Sequence, residues 1–214
     1  MTVDATRIAA LAAALVLALP AGWTAARIAR AYDPTRSPPP TRVATGLLMV
    51  VFGATAVIAP LGQDLAFGLA IAWALTCLAI IDVLAYRLPN VLTLPLAVTG
   101  LAAGALGAGA PLLDRIIGAA AAYGAMALIS AAFRHLRGRE GLGPGDAKLL
   151  AAGGAWLGWR PLPWVLLIAC AAAFAWLGVR LARQGRSGVD DPLPFGAPLS
   201  LAIWWVWLTG APPA

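Results

Sequence analysis

The chain has 214 residues, 61% of them hydrophobic and 11% charged. A soluble domain is about a quarter charged, and apolar runs recur here from end to end, so the composition excludes a soluble domain and describes an integral membrane protein. The net charge of +6 does not point to nucleic acid, because the basic residues lie between the apolar runs, where topology signals lie.

Cys77 and Cys170 are the only cysteines, and both fall in apolar runs. They form neither a disulfide framework nor a CxxC zinc pair. The one histidine, His135, sits among Arg134, Arg137 and Arg139. It has no second histidine with which to share a metal, so neither a His-based metal site nor a Ser-His-Asp triad is expected.

Taken in order, the apolar runs predict eight helices, at about 7–29, 43–60, 64–86, 91–109, 112–135, 147–159, 162–182 and 195–210. The fold expected is all-α and polytopic, with about eight transmembrane helices. The first run resembles a signal peptide, but Asp4 precedes Arg7, and Arg27, Arg30, Arg36 and Arg42 follow it. That pattern predicts a retained helix with its N-terminus outside. Residues 30–42 form a polar, proline-rich linker. The division expected is 1–42 as helix and linker, and 43–214 as a membrane-embedded domain. If alternate loops face the cytoplasm, that side receives 12 of the 15 basic residues; Arg7, Arg115 and Arg160 fall outside. Such a bias supports the helix count.

Gly100, Gly104, Gly107, Gly118, Gly124, Gly153 and Gly154 read as close-packing positions between helices. Trp156, Trp159, Trp164, Trp204, Trp205 and Trp207 lie near expected helix ends and read as an interfacial belt.

Two aspartates stand apart. An ionisable side chain inside an apolar span is costly and marks function by default. Asp82 follows Leu78-Ala79-Ile80-Ile81, one turn from the cytoplasmic end of its span; its structural alternative is pairing with Arg87. Asp146 follows Gly141-Leu142-Gly143-Pro144-Gly145 and opens the short run 147–159. That helix covers only about 20 Å against a bilayer core of about 30 Å. It is expected to begin below the surface, with 141–145 as buried irregular backbone and Asp146 as a possible N-cap. Both aspartates fall on the cytoplasmic side. Two carboxylates sharing a site have their proton affinities pushed apart, so one serves as acid and the other as the base that activates water. Asp82 lies near a helix C-terminus and Asp146 near an N-terminus, so the helix dipoles assign the shared proton to Asp82. The pair needs no cofactor.

Three blocks, in order, resemble the type IV prepilin peptidases, membrane aspartic proteases of the GxGD type. The first is Asp82 with Leu88-Pro89-Asn90-Val91-Leu92-Thr93-Leu94-Pro95, the Asp standing seven residues before a Pro. The second is Gly138-Arg139-Glu140-Gly141-Leu142-Gly143-Pro144-Gly145-Asp146-Ala147-Lys148-Leu149, continued by Gly154-Ala155-Trp156-Leu157-Gly158. The third is Pro192-Leu193-Pro194-Phe195-Gly196. The resemblance implies that Asp82 and Asp146 are catalytic, and that Gly143, Gly145, Lys148, Pro89, Asn90 and Glu140 bind substrate or support the site. It implies no metal. It also implies a prepilin or pseudopilin substrate, cleaved at the cytoplasmic face of the inner membrane for pilus assembly or type II secretion. The partners implied are that substrate and the lipid bilayer. Asn90 and Thr93 read as caps of the helix after Pro89. Lys148 reads as a tuner of Asp146, a lipid-phosphate ligand or a topology charge. Family members often carry a cytoplasmic domain with paired CxxC motifs and methylate the new N-terminus. The 30–42 linker is too short for that domain, so methyl transfer is not expected. The competing reading, a proton-coupled carrier, predicts two related halves, and no internal repeat is detectable.

Overall fold

The computed structural model describes residues 5–32, 41–137, 143–184 and 193–210. Among them there are eight helices and no strand: α1 Ala5–Tyr32, α2 Thr41–Ile58, α3 Gln63–Ala85, α4 Asn90–Ala105, α5 Leu112–Arg137, α6 Pro144–Leu157, α7 Leu162–Gln184 and α8 Gly196–Thr209. Each falls within a few residues of an expected span. Five are long and apolar enough to cross a membrane: α1, α2, α3, α5 and α7. The run at 147–159 is short, as expected. α4, at 16 residues, and α8, at 14, are also shorter than the sequence suggested. Gly107 and Gly109 have positive φ, so the run expected to reach residue 109 turns out of the helix after Ala105. The architecture is that of a multi-pass membrane protein.

The chain divides into two compact units, Met1–Ala85 and Tyr86–Ala214. In the first, α1, α2 and α3 pack on one another. The α1 seam is a stripe of small residues, Ala14, Ala18, Gly22, Ala25 and Ala29. A Cβ at Gly22 would lie 2.6 Å from the Cα of Thr45, so hydrogen alone fits there. At the other end of the α1–α2 seam, Arg7 Nη1 donates to the carbonyls of Ala56, Val57 and Ala59 at 3.3, 2.9 and 2.8 Å. The end of α2 thus receives a cation where its carbonyls lack helical partners. Trp73 Nε1 donates to Thr24 Oγ1 at 3.3 Å and ties α3 to α1.

In the second unit, α6 touches each of the other four helices. Of its 14 residues, nine are buried, so α6 is the core of the unit rather than a lipid-facing pass. Its backbone lies against α5 at Gly154 and Gly118. A Cβ at Gly154 would stand 2.5 Å from the Gly118 carbonyl carbon, and one at Gly118 would stand 2.6 Å from the Gly158 carbonyl carbon. Gly153 gives the same closeness to Ile203 of α8, at 2.9 Å. With α4 the contacts advance together along both chains. Lys148 meets Asn90, Trp156 Nε1 donates to the Leu96 carbonyl at 2.7 Å, and Gly100 lies under Ala155 and Trp156. α4 and α6 therefore run parallel, with their N-termini at the same end.

Trp156 corrects one expectation. It is not part of an interfacial belt: it is 4% exposed, and its indole N–H is spent inside the unit on a helix carbonyl. Trp204 is also buried, whereas Trp159, Trp164 and Trp205 are exposed. Beside Trp156 lies Arg115, 3% exposed. It donates to the carbonyls of Gly100 at 2.7 Å, Ala110 at 2.8 Å, Ala155 at 3.4 Å and Ala108. Its guanidinium stands 5.9 Å from the Trp156 ring centroid. A single side chain thus satisfies the carbonyls where α4 ends and α5 begins.

Candidate active site

Asp82 sits in the last turn of α3, three residues before the helix ends at Ala85. It is 5% exposed, and Leu78 and Ile81 beside it are buried. The next residue out of the helix, Tyr86, has φ 51°. That left-handed conformation reverses the chain at a helix C-terminus, a place usually filled by glycine.

Asp146 is 9% exposed, in the first turn of α6. It is not the N-cap. Gly143 takes that position with extended backbone, Pro144 occupies the first helical position, and Asp146 donates its amide to the Gly143 carbonyl at 3.1 Å. Proline suits the first position because its missing N–H has no helical partner there and its φ is already helical. The helix accordingly starts three residues before the apolar run suggested. Gly143 and Pro144 are exposed on the described part of the protein. The Asp146 carboxylate folds back over its own helix start, with Oδ2 3.4 Å from the point where a Gly143 Cβ would stand. A carboxylate there lies on the positive end of the helix dipole.

The first and second sequence blocks meet at this end of the second unit. A Cβ on Gly145 would come 2.9 Å from Leu88 Cβ, so the lack of a side chain lets the 88–90 segment lie directly on the first turn of α6. Lys148 Nζ donates to Asn90 Oδ1 at 2.9 Å. This replaces the capping role expected of Asn90. The N-cap of α4 is Pro89, with no side-chain cap, and Thr93 Oγ1 donates back to the Pro89 carbonyl at 3.3 Å. It also moves Lys148 away from direct tuning of Asp146, because residues two apart on a helix do not face each other.

Pro89, Asn90, Gly143, Gly145, Asp146 and Lys148 are thus gathered within the second unit, while Asp82 belongs to the first. Glu140 lies outside the described residues, as do Arg139, Gly141, Leu142, Pro192 and the linker residues 33–40. Among the described residues no three His, Cys, Asp or Glu side chains come together as metal ligands. Arg115 and Trp156 carried no local sequence signal for their roles; most of their partners lie between 15 and 60 residues away.

The fold and site define a multi-pass, all-helical membrane protein with two buried carboxylates, each one turn from a helix end. The chain belongs to the type IV leader peptidase family, whose profile matches residues 69–178, just over half of the sequence and inclusive of both aspartates. It is similar to proteins named prepilin leader peptidase/N-methyltransferase. That of Aeromonas salmonicida is 42% identical over 173 residues, covering 80% of this chain and 58% of the relative. That of Burkholderia pseudomallei is 45% identical over 159 residues, covering 74% and 50%. The Dickeya chrysanthemi protein is 42% identical over 158 residues, covering 72% and 50%. The chain therefore spans about half the length of these relatives. No solved structure matches it.

Proposed function

We propose that this protein is an aspartic endopeptidase that removes the leader from prepilin or pseudopilin substrates at the cytoplasmic face of the inner membrane, with Asp82 and Asp146 as its catalytic pair. The observation that carries the reading is that a family of leader peptidases shares the stretch holding both carboxylates, and both are buried at helix ends.

The two positions suit different roles. The amide dipoles at the start of α6 stabilise charge on Asp146, which makes it the base. Asp82, in the last turn of α3, is the acid. Asp146 takes a proton from water as the water oxygen attacks the scissile carbonyl carbon, and Asp82 gives its proton to the carbonyl oxygen. When the tetrahedral intermediate collapses, the C–N bond breaks, the departing amine takes the proton held by Asp146, and one hydroxyl of the intermediate returns its proton to Asp82 as the carboxyl product forms. Gly143, Gly145, Pro89, Asn90, Lys148 and Glu140 support this site in the same reading. The assignment stops at peptide cleavage: Cys77 and Cys170 are the chain's only cysteines and form no CxxC pair.

Co-expression with a prepilin, followed by gel mobility and N-terminal sequencing of the pilin, tests the proposal. Wild type should release the leader at one bond. Asp82→Asn and Asp146→Asn should each insert normally and leave the precursor intact. Processing that survives either substitution refutes the pair.

A further inference from the structure

Among the described residues, Tyr86 is the only one besides glycines with a positive φ, 51°. It follows Ala85, the last residue of α3, in the left-handed position where a helix usually ends on glycine. That conformation brings Cβ too close to a carbonyl oxygen, and for a residue as bulky as tyrosine it is an outlier. Glycine or asparagine would take it with less strain. Strained backbone persists where the surroundings over-determine it, and it gathers at active sites and ligand clamps.

Two ordinary uses of a tyrosine do not call for this position. Tyr86 is 39% exposed, so it does not fill the core. An aromatic anchor for the membrane–water interface could stand one residue later, because Arg87 is also exposed and has no positive φ. The ring is therefore kept at this point of the turn against the preference of the backbone.

Its surroundings within the second unit say what it serves. Two residues on, Leu88 lies on Gly145 in the first turn of α6, next to Asp146. Four residues on, Asn90 is held by Lys148 of the same helix. The segment is thus pinned to α6 at two points. A chain advances at most about 3.6 Å per residue, so Tyr86 is kept within about 7 Å of Leu88, beside the α6 start. A peptide cut there has to be extended for its carbonyl to be attacked, and an exposed aromatic ring is an apolar surface on which such a peptide can lie.

We propose that Tyr86 is a substrate-binding residue, whose ring packs against the substrate peptide beside the scissile bond. The proposal rests on the peptidase reading above and adds to it a residue that holds the peptide, as distinct from those that cut it.

The test compares Tyr86→Gly, Tyr86→Asn, Tyr86→Phe and wild type, purified in one detergent, by prepilin cleavage kinetics and by thermal unfolding. Tyr86→Gly and Tyr86→Asn keep the turn and lose the ring. Each should raise KM about five- to tenfold, the worth of one aromatic contact. The loss should fall on KM rather than kcat, as removal of substrate binding does. Neither variant should unfold earlier than wild type, because both residues accept the left-handed backbone. Tyr86→Phe should restore most of the affinity. Unchanged KM in Tyr86→Gly and Tyr86→Asn overturns the proposal and leaves the catalytic pair intact. A fall in unfolding temperature alongside the rise in KM assigns the ring to the fold and overturns it too. So does a Tyr86→Phe variant as impaired as Tyr86→Gly, which assigns the effect to the hydroxyl. Failure of wild type itself to cleave removes the peptidase reading and this one with it.

Discussion

Gly154→Ala is the sharpest probe of how the second unit is built. The added methyl would stand 2.5 Å from the carbonyl carbon and oxygen of Gly118, about 1 Å inside ordinary carbon contact. Both obstacles are backbone, so neither can rotate away as a side chain tip would; α5 and α6 must separate. Overpacking of this kind costs about 1–3 kcal/mol, and a rigid obstacle puts the cost near the top of that range. Replacing glycine by alanine inside a helix returns about 1 kcal/mol. The net loss is then about 2 kcal/mol, or about 4–8 °C of unfolding temperature for a chain of this length. Gly124→Ala, on α5, is the matched control. Nothing lies within 4 Å of its Cβ position, so only the helix gain remains and the unfolding temperature should rise by about 2–4 °C. The assay is thermal unfolding of both variants and wild type in the same detergent, followed by tryptophan fluorescence. If Gly154→Ala unfolds at or above the temperature of Gly124→Ala, the close-packing argument is wrong.

Two further outcomes follow from the same geometry. Arg115→Met should cost more than about 3 kcal/mol, since it strips a charged donor from several carbonyls at once; the folded yield after extraction should drop sharply, and Arg115→Lys should recover only part of it, because one ammonium cannot fork across the same carbonyls. Gly145→Ala should lower prepilin processing by displacing Leu88 from the start of α6, because the new methyl would stand 2.9 Å from Leu88 Cβ, and the double variant Gly145→Ala/Leu88→Gly, which removes that Cβ, should recover it; no recovery would show that the 88–90 segment does not matter through that contact.

The helices were legible in the sequence because each buried or lipid-facing segment had to be apolar over a dozen residues or more, and the charges between them marked the breaks. The start of α6 was less so. Asp146 looked like a cap because aspartate so often is one, but Pro144 claims the first helical position two residues earlier, and the Gly143-Pro144 pair was the signal that located it. Asn90 was misread for a related reason: Pro89 already serves as the N-cap of α4, which frees the amide for Lys148, 58 residues away. Arg115 read as a charge on the wrong side of a topology count. Its meaning depends on carbonyls of α4, α6 and the 105–111 turn, and no local pattern records which carbonyls a fold will leave unbonded. Trp156 shares that limit, since an indole near a helix end suits an interface and a core equally well until the neighbouring helix is in place.

The short helices of the second unit bear on the lipid around it. α4 and α8 expose Val91, Leu94, Val98, Leu201 and Trp205, yet at 16 and 14 residues they are only about 24 and 21 Å long at the usual helical rise. A bilayer core of about 30 Å is thicker than either helix is long, and thinning it beside them costs a fraction of a kcal/mol for each Å. Bilayer thickness thereby becomes a variable of this protein: thinner membranes should favour the native packing of α4 and α8, and thicker ones should strain it.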